Sequence, residues 1–262
     1  GTGTTSIALN LAQAMRRSGR TPLLLDADLG ASCTSARFGA GTVDSLHDVL
    51  DGSRSLQEVM RTGPDGIQVI SAASCARQLA SLDVLECAGM VRVFSALQDS
   101  IDTLVIDAAW DTGGCVASLC RAAGEIIVTV CPDEQSVAAV VHMIASLQHD
   151  YGVTRFRILP SQVSSAGEAS GVFGRLLQHF ATNHDVILNC CGFIPLDDHM
   201  LRAGRSGETI LSAYPRSRAA MALRNLADRV MKWPRPGHAG GHLEFFVERM
   251  FQNDKINEEV RS

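Results

Sequence analysis

The chain has 262 residues, 28 of them Asp or Glu against 23 Lys or Arg, for a formal net charge of −5. That length suits one large α/β domain or two small ones, and the acidic balance argues against direct binding to nucleic acid. No apolar run reaches the roughly 18 residues that span a bilayer, and no secretory leader is visible, so a cytoplasmic location is expected.

Residues 4–17 carry apolar side chains at helical spacing (Ile7, Leu9, Leu11, Ala12, Ala14, Met15), and Gly19 closes the helix. "TPLLLDADLG" is an apolar run ending in acids, the pattern of a buried parallel strand with functional residues at its C-terminal end. "SLHDVLDG" and "SLQEVMRTG" read as short helices and "GIQVISAA" as a strand. "LECAGMVRVFSALQDS" reads as a helix, "IDTLVIDAA" as a strand, "CVASLCRAA" as a helix and "EIIVTVCPD" as a strand. "SVAAVVHMIASLQHDYG" is a long helix, "RFRILPSQV" a strand, "ASGVFGRLLQHFATNH" a helix and "VILNCCGFIP" a strand. A last helix runs through "PRSRAAMALRNLADRVMKW".

Strands that alternate with helices imply βαβ crossovers, hence a doubly wound, mostly parallel sheet flanked by helices. The composition shifts after Trp233. The expected organisation is a main domain over 1–233, a Pro/Gly linker over 234–241 and an amphipathic segment with a polar tail over 242–262. In "HLEFFVERMF", Leu243, Phe246, Val247, Met250 and Phe251 form one apolar helical stripe. Its polar face is poor in cations, so a protein contact competes with a peripheral membrane contact through 242–251.

Three stretches carry chemistry. The opening "GTGTTS" has the glycines that let backbone N–H groups approach phosphate, then a helix start. Gly1 and Gly3 shape such a loop, Thr5 is placed for Mg²⁺ with Ser6 beside it, and Thr4 stands where lysine belongs. The only lysines are Lys232 and Lys255, so none is near. A Gly/Thr-rich turn before an ordinary helix cap has the same form. Asp26 and Asp28 close the second stretch two residues apart, on one face of an extended strand; they suit Mg²⁺ and water positioning, or a plain Asx turn. The third, "TLVIDAAWD", ends an apolar strand in Asp107, as a Walker B strand does. The eight cysteines make no CxxC pair, and His47, His142, His179 and His199 are isolated, so reduced structural cysteines and no metal site of that kind are expected.

These pieces, in this order, resemble the ParA/MinD deviant-Walker ATPases of the SIMIBI class, and within them the FlhG (FleN, YlxH) branch that regulates flagellar number and placement. The resemblance lies in "GTGTTSIALNLAQAMRRSGRTPLLLDADLG", "SLHDVLDGSRSLQEVMRTGPDGIQVISAAS", "LVIDAAWDTGGCVASLCRAAGEIIVTVCPDEQSV", "YGVTRFRILPSQV", "GFIPLDDHMLRA" and "AYPRSRAAMALRNLADRV", and covers about residues 1–233. It implies a MinD-like P-loop fold that binds ATP or ADP with Mg²⁺. Gly1, Thr2, Gly3, Thr4, Thr5 and Ser6 would form the phosphate loop. Thr5 and Asp107 would serve the metal, Asp28 and Asp107 the catalysis, and Asp26 would stand beside Asp28. Ser161 and Pro195 would lie at the base. It further implies a homodimer, a partner such as an FlhF-like GTPase or a flagellar transcription regulator, and a location in the cytoplasm or at the periphery of the inner membrane.

Two departures bear on activity. Thr4 replaces the P-loop lysine, and Ser161 stands where the family often reads adenine with Asn. Trp110 and Asp111 also displace the Gly that commonly follows Walker B. The expected activity is therefore a weak or lost ATPase. The alternatives are a nucleotide-independent scaffold or a localisation protein of pilus or cellulose machinery, akin to TadZ/CpaE or BcsQ. The chain starts inside the loop, so a preceding segment is expected.

Overall fold

The structure, a computed structural model, describes residues 2–27, 48–49, 52–71, 97, 100–110 and 115–234. The chain divides into two compact units, Gly1–Ala14 with Glu125–Trp233, and Met15–Gly124 with Pro234–Ser262. Apart from Leu97 and Ser100, the expected helix over 85–100 lies outside the described residues, as does the C-terminal segment over 242–262.

Helix α1 (Thr4–Arg17) opens the chain. Residues 7–15 are buried on every side, so this is a core helix rather than a half-exposed amphipathic one. That burial takes in two amide side chains, Asn10 at 3% exposure and Gln13 at 0%, which break its apolar run.

In the second unit, β1 (Pro22–Asp26) is followed by α2 (Leu56–Val59), β2 (Arg61–Thr62), a 3₁₀ turn (Pro64–Gly66), β3 (Gln68–Ser71), β4 (Thr103–Asp107) and α3 (Cys115–Ala122). The strand order is β2-β3-β1-β4, with β1 parallel to both β3 and β4 and β2 antiparallel to β3. Leu23, Leu24 and Leu25 fill the centre at 0–2% exposure, as an unbroken apolar run in a covered parallel sheet should. The stretch "SLQEVMRTG" was expected to be one helix. It stops after one turn, capped by a Ser55–Glu58 capping box, because Arg61 and Thr62 leave to pair with Val69 and Gln68.

In the first unit, β5 (Ile127–Val130), α4 (Glu134–Tyr151), β6 (Arg155–Val163), α5 (Ala166–His179), β7 (Ile187–Cys190), β8 (Ile194–Pro195), α6 (Asp198–Arg205), α7 (Ile210–Ala213) and α8 (Arg218–Val230) follow in order. Strands β5, β6 and β7 are parallel, and β8 pairs with the far end of β6. Helix α5 packs on β6, α4 on β5 and α5, and α8 on β8. "VILNCCGFIP" was expected to be one strand and is two. Gly192, at φ +131, breaks it, and β8 then pairs past an irregularity at Ser161–Val163, where Gln162 sits at φ +59. The short helices α6 and α7 were not expected from the sequence, since neither spans enough turns to show a period. Where the chain leaves α8, Trp233 lies under the Arg157 guanidinium, 4.6 Å from the ring centre, and Arg157 forks onto Glu125 at 2.8 and 2.9 Å.

Candidate functional site

The loop before α1 is built within the first unit. Gly3 adopts φ +81, the left-handed region, and a Cβ there would meet nothing within 4 Å. Glycine is required by the backbone angle and not by crowding, and the space beside it is open. The first bond of α1, Ile7 N–H to the Gly3 carbonyl at 2.9 Å, sets the helix running away from the loop. The amides of a first helical turn lack partners within the helix and carry its positive dipole end, which suits an anion.

Three hydroxyls close over the loop. Oγ1 of Thr2 lies 2.9 Å from Oγ1 of Thr4, and each lies 2.8 Å from Oγ1 of Thr129 on β5. A hydroxyl has one proton to give and can accept others, so the ring closes with each donating to the next. Ser161, 2% exposed at the end of β6, donates to the Thr2 carbonyl at 3.0 Å. Thr4, expected to stand in for a lysine, thus binds its own loop and a strand, and Ser161, expected at the base, holds the loop backbone.

Thr5 is 8% exposed. Two further residues of the helix fix its position. Asn10 donates to the Ser6 carbonyl at 2.7 Å and accepts from Ile210 N–H at 2.9 Å, supplying the cap that the Thr209 side chain does not give α7. Gln13 donates to the Ser212 hydroxyl at 2.8 Å. Pro195 lies in β8 opposite Val163, two residues beyond Ser161 on β6. Asp197 follows and gathers three donors: His199 N–H at 3.1 Å, His199 Nδ1 at 2.8 Å and Ala219 N–H at 3.0 Å. Burial pushes its carboxyl up, but these bonds outweigh that and hold it below the usual carboxylate range.

In the second unit, Asp26 and Asp107 end neighbouring parallel strands in direct register, at 0% and 1% exposure. Registered residues on parallel strands face the same side. Two buried carboxylates on one face suit a divalent cation. The Ala27 amide donates to the Asp107 carbonyl at 2.8 Å, locking the two strand ends together. Gly1 and Asp28 lie outside the described residues.

Thr129, Asn10, Gln13 and Asp197 were not expected as site residues. Asn10 and Gln13 did leave a signal, as amides inside an apolar helical run, and Asp197 stands as an N-cap before "DHML". Thr129 left none, since threonine is ordinary in a strand. Cys120, Cys131, Cys190 and Cys191 are free thiols, and burial pushes Cys120 and Cys191 up to about 12, as expected of structural cysteines. Among the described residues, no three His, Cys, Asp or Glu side chains form a metal-binding group. None of their helices is long and apolar enough to cross a membrane.

The loop therefore fits phosphate through backbone amides, a glycine turn and a helix N-terminus, and it lacks the usual cation. Residues 1–231 match the ParA family, described as NUBPL iron-transfer P-loop NTPase. The chain is 36% identical over 253 residues to the antiactivator FleN of Pseudomonas aeruginosa, covering 97% of this chain and 90% of that one. Among solved structures, it is similar to MinD in the MinC:MinD cell division complex of Aquifex aeolicus, at TM-score 0.68 and 18% identity, with 90% of this chain and 93% of that one covered. It is also similar to the septum site-determining protein MinD of Pyrococcus horikoshii complexed with Mg-ADP, at TM-score 0.63 and 19% identity over 88% of this chain and 92% of that one. With a MinD-like fold, a mostly parallel sheet with flanking helices and a phosphate-type loop, the chain belongs to the ParA family of P-loop NTPases.

Proposed function

We propose that the chain is a regulator of flagellar biosynthesis of the MinD/FlhG type, a switch that binds ATP or ADP with Mg²⁺ and dimerises on ATP. The observation that carries this reading is the 36% identity to an antiactivator along 97% of the chain. The loop geometry at Gly3 supports nucleotide binding. Backbone amides of the loop would hold the phosphates, Thr5 and Asp107 would serve the metal, and Asp28 would position water. The metal supplies charge neutralisation at the phosphates. Ser161 and Pro195 would flank the base, with Ser161 also holding the loop. A flagellar transcription activator or an FlhF-like GTPase is the partner class that this reading names.

With Thr4 in place of lysine, the transition state loses a charge contact worth on the order of 3 kcal/mol, about 10²-fold in rate. The switch therefore turns over slowly or not at all. A second reading is favoured by the Thr4 hydroxyl, which is engaged with Thr2 and Thr129: a scaffold that works without nucleotide. Calorimetric titration of ATP with and without Mg²⁺, on the wild type and on Asp107→Ala, separates the two. The switch predicts binding that requires Mg²⁺ and is lost in Asp107→Ala. No heat at millimolar ATP leaves the scaffold.

A further inference from the structure

The roles carried over from the family leave out Thr129, yet its hydroxyl joins both threonines of the phosphate loop to β5. We propose that Thr129 is the positioning residue of this lysine-free loop. Through the ring with Thr2 and Thr4 it holds the loop in its phosphate-ready shape before any nucleotide arrives. The inference rests on the reading of the loop as a nucleotide site, and names what orders that site.

The geometry supports this at each step. Thr2 and Thr4 flank Gly3, whose φ of +81 forms the turn. Both side chains reach the same oxygen on β5, at 2.8 Å each, and reach each other at 2.9 Å. Thr129 cannot yield, because its strand is registered on β6 through Thr129↔Leu159 and its neighbours Val128↔Ile158 and Val130↔Pro160. Ser161, on the same β6, donates to the Thr2 carbonyl. The turn is thus pinned by side chains on two adjacent strands. A glycine turn without such ties loses conformational freedom only when ligand binds, and that ordering weakens binding. Here the ordering is already done.

The ring also needs a hydroxyl at position 4. An ammonium donates only. A lysine there would leave the Thr2 and Thr129 hydroxyls without the alternation of donor and acceptor that closes the ring. The hydroxyls of Thr4 and Thr129 are therefore matched, and the loop is ordered without a lysine, though the lysine's charge is not replaced.

The test is amide exchange on the full chain without nucleotide, for wild type, Thr129→Val and Thr129→Ser. Valine keeps the shape and removes the hydroxyl; serine keeps the hydroxyl. Thr129→Val should speed exchange at the Ile7 and Ala8 amides about five- to tenfold, the effect of one lost hydrogen bond, while the Ile158 and Leu159 amides stay as in wild type. Thr129→Ser should restore the slow rates. If Thr129→Val fails to fold, Thr4→Val opens the same ring from the loop side and should give the same local acceleration. Wild-type exchange in the valine variants, or an equal acceleration at Ile158 and Leu159, overturns the proposal. A parallel titration with Mg·ATP keeps the two readings apart. A wild type that binds no ATP, with a loop that still loosens in Thr129→Val, sinks the nucleotide reading and leaves the anchor. A wild type that binds ATP, with unchanged loop exchange in the variants, sinks the anchor alone.

Discussion

Single side chains decide how rigidly the first unit holds its helices. Asn10 serves two elements at once, α1 through the Ser6 carbonyl and α7 through Ile210 N–H, at 3% exposure. Asn10→Ala takes the acceptor away from the Ile210 N–H, whereas the Ser6 carbonyl keeps its helical bond, and should cost about 1–3 kcal/mol, read as a lower urea midpoint with an unchanged slope. Asp197 gives a pH signature. Its carboxyl is held below the unfolded value of about 3.9 by bonds from His199 and Ala219 that outweigh burial. A depressed folded pKa means that the stabilisation is complete above the unfolded pKa and is lost as pH falls through the folded one. Asp197→Asn should therefore be less stable than wild type by roughly 1–2 kcal/mol at pH 7, and the gap should close below about pH 4 in thermal melts taken across pH. The sequence showed the substitution at position 4 plainly, because a missing lysine is a missing letter. It did not show where the Thr4 hydroxyl goes, because its partner Thr129 is 125 positions away and no local pattern links the two.

At the scale of elements, what was legible was whatever a long period could mark. The runs "LLLD", "LVID" and "RFRILPSQV" became β1, β4 and β6, and the 18-residue α4 sits where its apolar spacing put it. The misses were short or interrupted pieces: β2, formed by pairing with β3; the β7–β8 break at Gly192; and α6 and α7, defined by their caps. Caps act on longer elements too. At the handover from β5 to α4, Asp133 accepts from Ser136 N–H at 2.8 Å, and the Ser136 hydroxyl accepts from Cys131 N–H at 2.9 Å. The strand end and the helix start are thus clasped through one residue. Asp133→Ala should cost about 1 kcal/mol by the usual effect of an N-cap. Ser136→Ala removes only the hydroxyl bond to Cys131; because loss of the cap loosens the same turn that carries this hydroxyl, the double variant should cost less than the two single changes added. Denaturant midpoints of the four proteins measure this directly, and strict additivity would show that the clasp is two independent contacts.

At the scale of the whole molecule, the alternation of strands and helices and the order of the three motifs sufficed for the fold class, since parallel sheets leave few ways to connect. Activity was less legible, because a phosphate loop serves binding and turnover with different residues. Binding rests on amides, the glycine turn and the metal, whereas turnover also needs charge neutralised in the transition state. Thr4 separates these two demands, and dimerisation is where the separation becomes measurable. A dimer that closes around bound ATP needs the first set only. Light scattering should therefore show the particle mass doubling with Mg·ATP and not with ADP. Phosphate release should stay at or below about one hundredth of that of a lysine-bearing relative. Slow turnover has a further consequence: the ATP dimer should persist long after free nucleotide is removed, where a competent ATPase would fall back to monomer within its turnover time. Thr4→Lys returns the charge but breaks the hydroxyl ring with Thr129, so it should not by itself restore fast release. Adding Thr129→Val, which removes the hydroxyl left without its ring, should not slow release further. A mass that ignores nucleotide altogether would instead mark the chain as a scaffold, its oligomeric state set by the protein alone.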